Sequence, residues 1–236
     1  MAQEQMVAII SGATGGIGAA LVRAYRARDY QVVATSKSIV PSADDNIVTV
    51  SGDIGDPKTA DRAVREGIAR FGRIDTLINT AGIFISKPFT QYSADDYNAM
   101  ISVNLSGFFY ITQMAIAEME KRRSGHVVNI TTSLVDHANA AVPSALASLT
   151  KGGLAAATKS LAIEYAKRGI RVNAVAPGVI KTPMHSPETY AKLDALHPMG
   201  HMGEISDVVD AILYLESAGF VTGETIHVDG GQAAGH

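Results

Sequence analysis

Three glycines with a characteristic spacing lie near the start of the chain, in the stretch Ser11-Gly-Ala-Thr-Gly-Gly-Ile-Gly18. They follow the apolar run Val7 to Ile10, which is typical of a buried parallel strand, and they precede a stretch with helical spacing. Gly12, Gly16 and Gly18 would permit a tight turn, close approach of the backbone to a phosphate, and close packing of a helix on the strand. The start of that helix would present free N–H groups to a pyrophosphate. An ordinary strand-to-helix turn is the alternative, since such a motif alone is weak.

The residues about 20 positions after these glycines indicate which dinucleotide the chain would take. An acidic residue at the end of the second predicted strand, Gln31 to Thr35, would bind the ribose 2′-hydroxyl of NAD. Ser36 and Lys37 stand there instead, and their donors suit a 2′-phosphate, with no carboxylate nearby in the sequence to repel it. We therefore expect NADP, with NAD still possible. A solvated loop lysine is the alternative interpretation.

Polar and small residues also follow the other predicted strands. Asp53 follows the third strand, Asn79-Thr-Ala-Gly82 the fourth, and Ser133 comes after two threonines at the end of the fifth. Because the carboxyl ends of parallel strands meet at one edge of a sheet, where ligands collect, these residues should line one crevice. Asp53 could hydrogen-bond an adenine amino group there, or merely cap a turn.

Two polar side chains interrupt otherwise apolar helical stretches. Asn104 lies between Val103 and Leu105, and Lys151 lies among glycines and alanines in the predicted helix Ala145 to Arg168. A buried amide must be hydrogen-bonded, so Asn104 has either a structural or a functional partner, and we favour a functional one. A lysine among small apolar residues is unusual on a solvated face, which favours a ligand contact for Lys151.

The composition excludes several classes of protein. With 236 residues, 47% of them hydrophobic and 18% charged, the chain can bury a sizeable core and is not disordered. A net charge of -3 leaves no basic surface for nucleic acid or anionic lipid, so the ligand should be a small molecule. No apolar run approaches the roughly 18 residues of a membrane span. Residues 1–5 lack the features of a secretory signal, and we expect a cytoplasmic protein.

Thiol, metal and serine-esterase chemistry are not indicated. The chain has no cysteine, which excludes disulfides. His197 and His201 have a spacing that suggests a metal site, but Pro198 and Gly200 between them argue against a helical pair, and we predict no metal site. The G-x-S-x-G motif of serine esterases does not occur.

Strands and helices alternate along the chain. This alternation predicts an α/β fold, with a doubly wound sheet of seven parallel strands and helices on both faces, forming a single domain over residues 1–236. From residue 181 to about 203 the sequence is irregular and partly apolar, which predicts a mobile lid over the crevice. The last strand, Thr225 to Val228, is followed by a short tail that ends at His236.

Several motifs, in their order and spacing, resemble those of the short-chain dehydrogenase/reductase family. They are Ser11-Gly-Ala-Thr-Gly-Gly-Ile-Gly18, Asn79-Thr-Ala-Gly82, Val103-Asn104, Ser133, Lys151-Gly152-Gly153, Arg171-Val-Asn-Ala-Val-Ala-Pro177-Gly178 and Val228-Asp-Gly-Gly231. The resemblance covers essentially the whole chain. It implies a Rossmann-type dinucleotide-binding domain and an oxidoreductase that interconverts a ketone and a secondary alcohol with NADP or NAD.

The resemblance also implies which residues bind the cofactor. The glycine-rich stretch would hold the pyrophosphate, Asp53 the adenine, Asn79 to Gly82 the adenine ribose side, and Pro177 to Thr182 the nicotinamide end. The expected cofactor-binding residues are Gly12, Thr14, Gly15, Gly16, Ile17, Gly18, Ser36, Lys37, Asp53, Ile54, Asn79, Ala81, Gly82, Lys151, Pro177, Gly178, Ile180 and Thr182.

One member of the family's catalytic tetrad is missing from this chain. Asn104, Ser133 and Lys151 match three members, and the resemblance implies that the serine binds the substrate carbonyl and the lysine the nicotinamide ribose. In the family a tyrosine four residues before the lysine gives the proton, but Ala147 stands at that position. A methyl group has no proton to exchange, and losing general acid catalysis typically costs roughly 10² to 10⁴ in rate.

Three interpretations of Ala147 remain open. Another group could give the proton, with Ser144 our first choice and His137 our second; Tyr190, Lys151 itself or a water in the space of the missing ring are further candidates. The chain could instead bind NADP without redox chemistry, as a sensor or scaffold. A tyrosine could also have been replaced deliberately. We favour an oxidoreductase of altered chemistry, because the other three tetrad positions are retained.

The sequence describes the substrate and the assembly only coarsely. Phe84, Ile85, Val142 and the apolar lid suggest a small hydrophobic ketone or alcohol, and the lack of an arginine cluster argues against a phosphorylated one. The resemblance implies a homotetramer, with the helices around 104–122 and 145–168 at one interface and the last strand and tail at another.

Overall fold

A sheet of seven parallel strands forms the centre of the computed structural model, which describes residues 5–235, and its strand order is β3-β2-β1-β4-β5-β6-β7. The strands are β1 Val7–Ser11, β2 Gln31–Ser36, β3 Ile47–Ser51, β4 Thr76–Asn79, β5 Gly125–Ile130, β6 Ile170–Pro177 and β7 Thr225–Val228. The predicted doubly wound sheet is confirmed. The expectation for residues 1–4, and the end of the tail at His236, lie outside the described residues.

The central strands are apolar because both faces of the sheet are covered. All five residues of β1 are buried, and Ile9 pairs in register with Val33 of β2 and Leu77 of β4. A parallel strand covered on both sides reads as a continuous apolar run. The order of the strands reverses beside β1, so the carboxyl ends of β1 and β4 flank the crevice where such sheets bind ligands.

Helices pack on both faces of the sheet. They are α1 Gly16–Arg26, α2 Pro57–Phe71, α3 Ala94–Met100, α4 Gly107–Arg122, α5 Ala145–Tyr165, α6 Tyr190–Asp194 and α7 Ile205–Ser217. Ala60 of α2, Ile111 of α4 and Ala162 of α5 belong to the core on one face. Leu21 of α1 and Ile212 of α7 belong to the core on the other.

The capping residues predicted for helices α2 and α3 are found in the structure. Asp56 caps α2 by accepting a hydrogen bond from the Lys58 N–H at 2.9 Å, and Ser93 and Asp96 form the predicted capping box of α3. The helix predicted to run to Arg168 instead becomes a 3₁₀ turn after Tyr165. Gly169 then adopts a φ of 77° and ends it, as expected for a left-handed cap.

The helical stretch Ala94–Arg122 is not a single regular helix. Its middle, Ile101–Ser106, is π-helical and carries the buried Asn104. By length and composition this stretch could cross a membrane, but α4 packs against α2 and β5. Its apolar character is that of a core helix in this fold.

The segment predicted as a lid has short elements of its own. It contains a 3₁₀ turn, Pro187–Thr189, followed by α6. Its two ends are joined, because the Lys181 N–H donates to the Gly203 carbonyl at 2.9 Å and the Gly203 N–H donates to the Val179 carbonyl at 3.0 Å. The segment is therefore a closed loop at the carboxyl edge of the sheet, and its mobility stays a prediction.

Candidate functional site

A cavity of about 490 Å³ opens at the carboxyl ends of the strands. It gathers residues from the glycine-rich stretch, the segments after β4, β5 and β6, helix α5, the lid and the tail. The expected cofactor residues that line it are Gly12, Thr14, Gly15, Gly16, Ile17, Gly18, Ser36, Ala81, Gly82, Lys151, Pro177, Gly178, Ile180 and Thr182. Ser133 and Ala147 line it as well.

The glycine-rich stretch forms a cradle that side chains would fill. Gly12 has a φ of +66°, and a Cβ there would lie 3.0 Å from the backbone of Ala81. A Cβ on Gly18 would overlap with the Gly12 carbonyl oxygen, whereas the space above Gly15 is open. Helix α1 has no side-chain cap and no acidic residue in its first turn. Its free N–H groups and positive dipole end therefore fit a pyrophosphate, as a dinucleotide requires.

The end of β2 is arranged differently from the sequence-based expectation. The Ser36 and Thr14 hydroxyls are 2.8 Å apart at the cavity, but the Lys37 Nζ forms an ion pair with the Asp53 carboxylate at 2.8 Å. A carboxylate therefore does lie near the lysine, because β2 and β3 are neighbouring strands. The other Asp53 oxygen accepts from the Gly55 N–H at 2.9 Å, so Asp53 caps a turn.

The Lys37 ammonium and the Gly55 N–H lower the pKa of Asp53, with Lys37 the larger cause and partial burial opposing both. Neither Lys37 nor Asp53 belongs to the cavity wall, and both are partly exposed. The pair stands beside Ser36 at the outer end of the crevice.

Two further residues expected to bind cofactor point into the protein instead. Ile54 packs in the core, in contact with Gly107. The Asn79 amide donates to the Thr112 hydroxyl and to the Asn129 side-chain oxygen, both at 2.9 Å. Because side chains alternate along a strand, Asn79 at the end of β4 faces α4 rather than the crevice. Thr80, which follows it, lines the cavity.

The side chain of Asn104 is hydrogen-bonded to other residues of the protein, so its role here is structural. Its side-chain oxygen accepts from the Ile83 N–H at 2.9 Å, and its amide donates to the Ile83 carbonyl and to the Thr150 hydroxyl, both at 3.1 Å. The residue is 1% exposed and does not line the cavity. It ties the segment after β4 to α5, one residue before Lys151, and so holds the cavity wall in place.

Lys151 is buried at the base of the cavity. Its Nζ donates to the Ile130 carbonyl oxygen at the end of β5, at 2.7 Å, and a Cβ on Gly82 would lie 3.0 Å from it. Burial lowers the pKa of the Lys151 ammonium to about 8. Ala147 lies one helical turn earlier and lines the same cavity.

The two first choices for a replacement proton donor do not line the cavity. Ser144 precedes α5 with a φ of -145° and a ψ of 27°, outside the helical register that puts Ala147 and Lys151 on one face. His137 lies in the turn after Ser133, where its backbone N–H donates to the Ser133 carbonyl at 3.0 Å. Tyr190, on α6, is also absent from the cavity wall.

Among the described residues that line the cavity, Lys151 and His185 alone have side chains that ionise near neutral pH. His185 belongs to the lid, and burial lowers its pKa. Its position in the predicted lid was the sequence signal that could have identified His185 as a cavity residue. The other lid residues at the cavity include Met184, Leu193 and Leu196, which are apolar.

Two of the three residues expected at the substrate wall lie at the cavity. Phe84 and Val142 line the cavity. Ile85 packs instead against the small cluster of Met100, Leu146 and Ala147, because the alternation of the extended segment turns it away. Phe84, Val142 and the apolar lid residues thus form an apolar part of the cavity wall.

Gln232 is a cavity residue that the sequence did not indicate. It lies in the tail after β7, and the Ser133 hydroxyl donates to its side-chain oxygen at 2.8 Å. Both residues are buried, at 2% and 0% exposure. No local pattern could have revealed this contact, because the two residues are 99 positions apart.

The histidine pair does not form a metal site. The His197 ring accepts from the Val179 N–H through Nε2 at 3.0 Å, and its Nδ1 lies 3.1 Å from the Leu193 carbonyl. Nε2 thus ties the lid to the segment after β6, whereas the Nδ1 contact lies within the lid. Within residues 5–235, no group of three or more acidic, histidine or cysteine side chains could hold a metal ion.

Comparisons with known proteins agree with this geometry. A family model described as enoyl-(acyl carrier protein) reductase matches residues 12–233. The 3-oxoacyl-(acyl-carrier-protein) reductase FabG of Thermotoga maritima is 37% identical over 247 residues, covering 98% of this chain and 99% of that protein. Acetoacetyl-CoA reductase of Acinetobacter sp. is 32% identical over 247 residues, covering 97% of this chain and 98% of that protein.

Solved structures match over the same length. ElxO with bound NADP superposes with a TM-score of 0.89 at 30% identity, covering 99% of this chain and all of that chain (100%). The 3-ketoacyl-(acyl-carrier-protein) reductase from Brucella melitensis, complexed with NADH, gives a TM-score of 0.89 at 27% identity, covering 98% of this chain and 99% of that chain.

Proposed function

Because the chain belongs to the short-chain dehydrogenase/reductase family of NAD(P)-dependent oxidoreductases, we propose that it prefers NADPH and interconverts a hydrophobic ketone and secondary alcohol without a tyrosine proton donor. The observation that carries this proposal is the meeting of Ser133, Lys151 and the glycine cradle in one cavity that has Ala147 at its wall. A carbonyl group in that cavity would lie among a hydroxyl, a carboxamide and an ammonium group.

The preference for NADPH is supported by the end of β2. Ser36 and Lys37 offer a hydroxyl and an ammonium where an acidic residue would select NAD. The Asp53 carboxylate shares Lys37 and therefore weakens the preference. Of the similar structures, ElxO holds NADP and the Brucella reductase NADH.

The cofactor would lie along the cradle, with its pyrophosphate on the free N–H groups of α1 and its nicotinamide end towards Pro177, Gly178 and Thr182. A bound nicotinamide supplies the hydride for reduction or accepts it in oxidation. The chain's own residues must bind the substrate oxygen, exclude water and deliver a proton. The apolar wall of Phe84, Val142 and the lid serves the second of these tasks.

Lys151 delivers the proton in this proposal. During reduction an N–H bond of its ammonium breaks and an O–H bond forms on the substrate oxygen, either directly or through a water beside Ala147. The neutral amine then regains a proton from solvent. Burial has already lowered the pKa of this group to about 8, near the working pH that suits a general acid. His185 is the other ionisable group of the described wall and is the alternative donor.

The substrate is a small hydrophobic carbonyl compound or alcohol. The cavity wall is apolar on the lid side, and none of its described residues is an arginine, so a phosphorylated substrate would lack a partner. We also propose a homotetramer. Phe109, Leu149 and Ile163 on α4 and α5 are 55%, 60% and 80% exposed, and apolar side chains of this size favour contact with another subunit.

A second candidate function rests on Ala147. Without a phenol at this position the chain could bind NADP tightly and turn over no substrate, acting as a sensor or scaffold. A deliberate tyrosine-to-alanine replacement would have the same consequence. In both of these cases turnover would appear only after a tyrosine is introduced at position 147, whereas an active enzyme would turn over ketone without it.

The test combines cofactor binding with turnover. NADPH and NADH are titrated by nicotinamide fluorescence, and NADPH oxidation is then followed with a panel of hydrophobic ketones, beside the Ala147→Tyr variant. We expect tighter binding of NADPH, slow turnover by the native chain and a rise of roughly 10² to 10⁴ in the variant. Turnover found in the variant alone would support the second candidate. No turnover by either protein would overturn the enzymatic proposal.

A further inference from the structure

The described part of the tail after β7 presents one polar side chain to the cavity. Asp229 holds the tail in place, since its carboxylate accepts from the Gly231 N–H at 3.0 Å and from the Ala233 N–H at 2.7 Å. Gly230 and Gly231 have φ values of 59° and 91° and make the turn possible. The anchored turn places Gln232 at the cavity wall, where it is 2% exposed.

The hydrogen bond between Ser133 and Gln232 has a defined direction. The Ser133 hydroxyl donates to the Gln232 Oε1 at 2.8 Å, so the only proton of the serine is used by the carboxamide. The Gln232 Nε2 carries two N–H donors. In the described part of the chain this nitrogen forms no hydrogen bond with another residue.

During reduction the carbonyl oxygen of the substrate gains negative charge, which hydrogen-bond donors stabilise. The missing phenol leaves this site one donor short, and the Ser133 proton is engaged. Buried polar groups are hydrogen-bonded in folded proteins, so an unused carboxamide N–H at a cavity wall indicates a ligand or a water there. A carboxamide has no proton to transfer near neutral pH, so it can hold the oxygen but cannot replace the proton donor.

We propose that Gln232 is a substrate-binding residue of this site, whose carboxamide N–H donates to the substrate's carbonyl oxygen while Ser133 holds the carboxamide in place. This inference rests on the proposed function. The resemblance to the family gave the carbonyl contact to Ser133, whereas the observed bond makes Ser133 the positioning residue and Gln232 the donor. Lys151 then supplies the proton to the oxygen that Gln232 holds.

The activity test uses Gln232→Met, which has a similar length and no polar group, Gln232→Glu, which keeps an acceptor for Ser133, and Ser133→Ala. Removing a donor to a developing oxyanion typically costs about 10² to 10³ in kcat, and we expect a loss of that size in both Gln232 variants. In the Ser133→Ala background, Gln232→Met should still lower kcat about tenfold or more, because the donor contacts the substrate itself. If the loss vanishes there, Gln232 acts only through Ser133 and the proposal is overturned.

A binding readout separates this proposal from the enzymatic one. Acetophenone is mixed rapidly into the complex of the chain with NADPH, and the fluorescence change that precedes the slow turnover gives its Kd. We expect the Kd to rise about tenfold in Gln232→Met, as the loss of one hydrogen bond of about 1.4 kcal/mol requires. The NADPH affinity should stay unchanged, which shows that the variant is folded.

The outcomes of the binding test are distinct. Ketone binding that depends on Gln232, with no turnover at all, would overturn the enzymatic proposal and support this one. Ketone binding that Gln232→Met and Gln232→Glu leave unchanged would overturn this proposal alone. No ketone binding to the native complex would overturn it too, because a donor for a carbonyl oxygen must bind a carbonyl compound.

Discussion

The Lys151 Nζ donates to the Ile130 carbonyl oxygen at 2.7 Å, at the end of the central strand β5. A neutral carbonyl oxygen offers much less compensation for burial than a carboxylate would, so the charged form of the lysine is disfavoured and its pKa falls to about 8. Ala147, one helical turn before the lysine, lines the same cavity. A buried ammonium that releases its proton near neutral pH, next to a carbonyl site, has the properties of a general acid.

Ketone reduction should therefore depend on the protonation of Lys151. The ammonium form is populated below a pKa of about 8, so kcat should be level below that pH and fall about tenfold per pH unit above it. Alcohol oxidation should show the opposite trend. The Lys151→Arg variant keeps the charge, but a guanidinium does not release its proton near neutral pH, so it should lose roughly 10² to 10⁴ in kcat. Steady-state rates between pH 6 and 10 measure both effects, and a flat profile would contradict this role.

The buried lysine should also lower the free energy of unfolding. Its folded pKa of about 8 lies below the unfolded value of 10.5, which costs about 3 kcal/mol below pH 8 at 1.36 kcal/mol per unit. The lost hydrogen bond to Ile130 offsets about 1 kcal/mol of this. Lys151→Met should thus gain about 2 kcal/mol at pH 7, and the gain should shrink as the pH rises from 8 to 10.5.

Urea unfolding at pH 7 and pH 10 measures this gain. The matched control is Lys159→Met, because Lys159 lies exposed on the same helix and should change little at either pH. A Lys151→Met variant less stable than the native chain at pH 7 would show that burial does not penalise the ammonium.

The ion pair of Lys37 with Asp53 should set the preference between the two cofactors. Lys37→Ala removes the cation and leaves the Asp53 carboxylate, so we expect the Kd for NADPH to rise about tenfold with little change for NADH. Asp53→Asn frees the lysine and should tighten NADPH. Fluorescence titrations with both cofactors test this, with Lys58→Ala as an exposed control. Equal losses for NADPH and NADH would mean that Lys37 does not contact the 2′-phosphate.

A buried polar cluster at the opposite edge of the sheet should make the fold sensitive to acid. Glu216 accepts hydrogen bonds from His126 at 2.9 Å, Thr76 at 2.8 Å and Tyr25 at 3.0 Å. Burial alone would raise the pKa of Glu216, but these bonds lower it, with His126 the largest contributor. Burial lowers the pKa of His126, and Glu216 only partly opposes it.

Both shifts have the same sign. Below pH 6.5 the unfolded histidine takes up a proton that the folded one resists, and at lower pH the unfolded Glu216 does the same. The free energy of unfolding should therefore fall as the pH drops from about 6.5. His126→Gln should reduce this slope between pH 6.5 and 5.5 in urea unfolding, whereas His227→Gln, at an exposed pair with Asp136, should leave it unchanged. Equal slopes for both variants would exclude the cluster as the cause.

Much of the fold was predictable because its signals are local. The apolar run before Gly12, the helical spacing after it and the Asp56 cap each depend on residues within a few positions of one another. Repeated along the chain, such units combine into a doubly wound sheet almost without alternative, because parallel connections are right-handed. The absence of a tyrosine at position 147 was likewise evident from the sequence alone.

The sequence could not show which way each side chain faces, or which residue from a distant part of the chain it contacts. Asn79 follows a strand as expected, but the strand's alternation turns it from the cavity, and Ser144 precedes the helix whose face holds Lys151. The contact of Ser133 with Gln232 joins residues 99 positions apart. The sequence by itself determined the elements and the missing proton donor; only the tertiary structure decided which groups share the cavity, because that depends on long-range packing and not on local propensity.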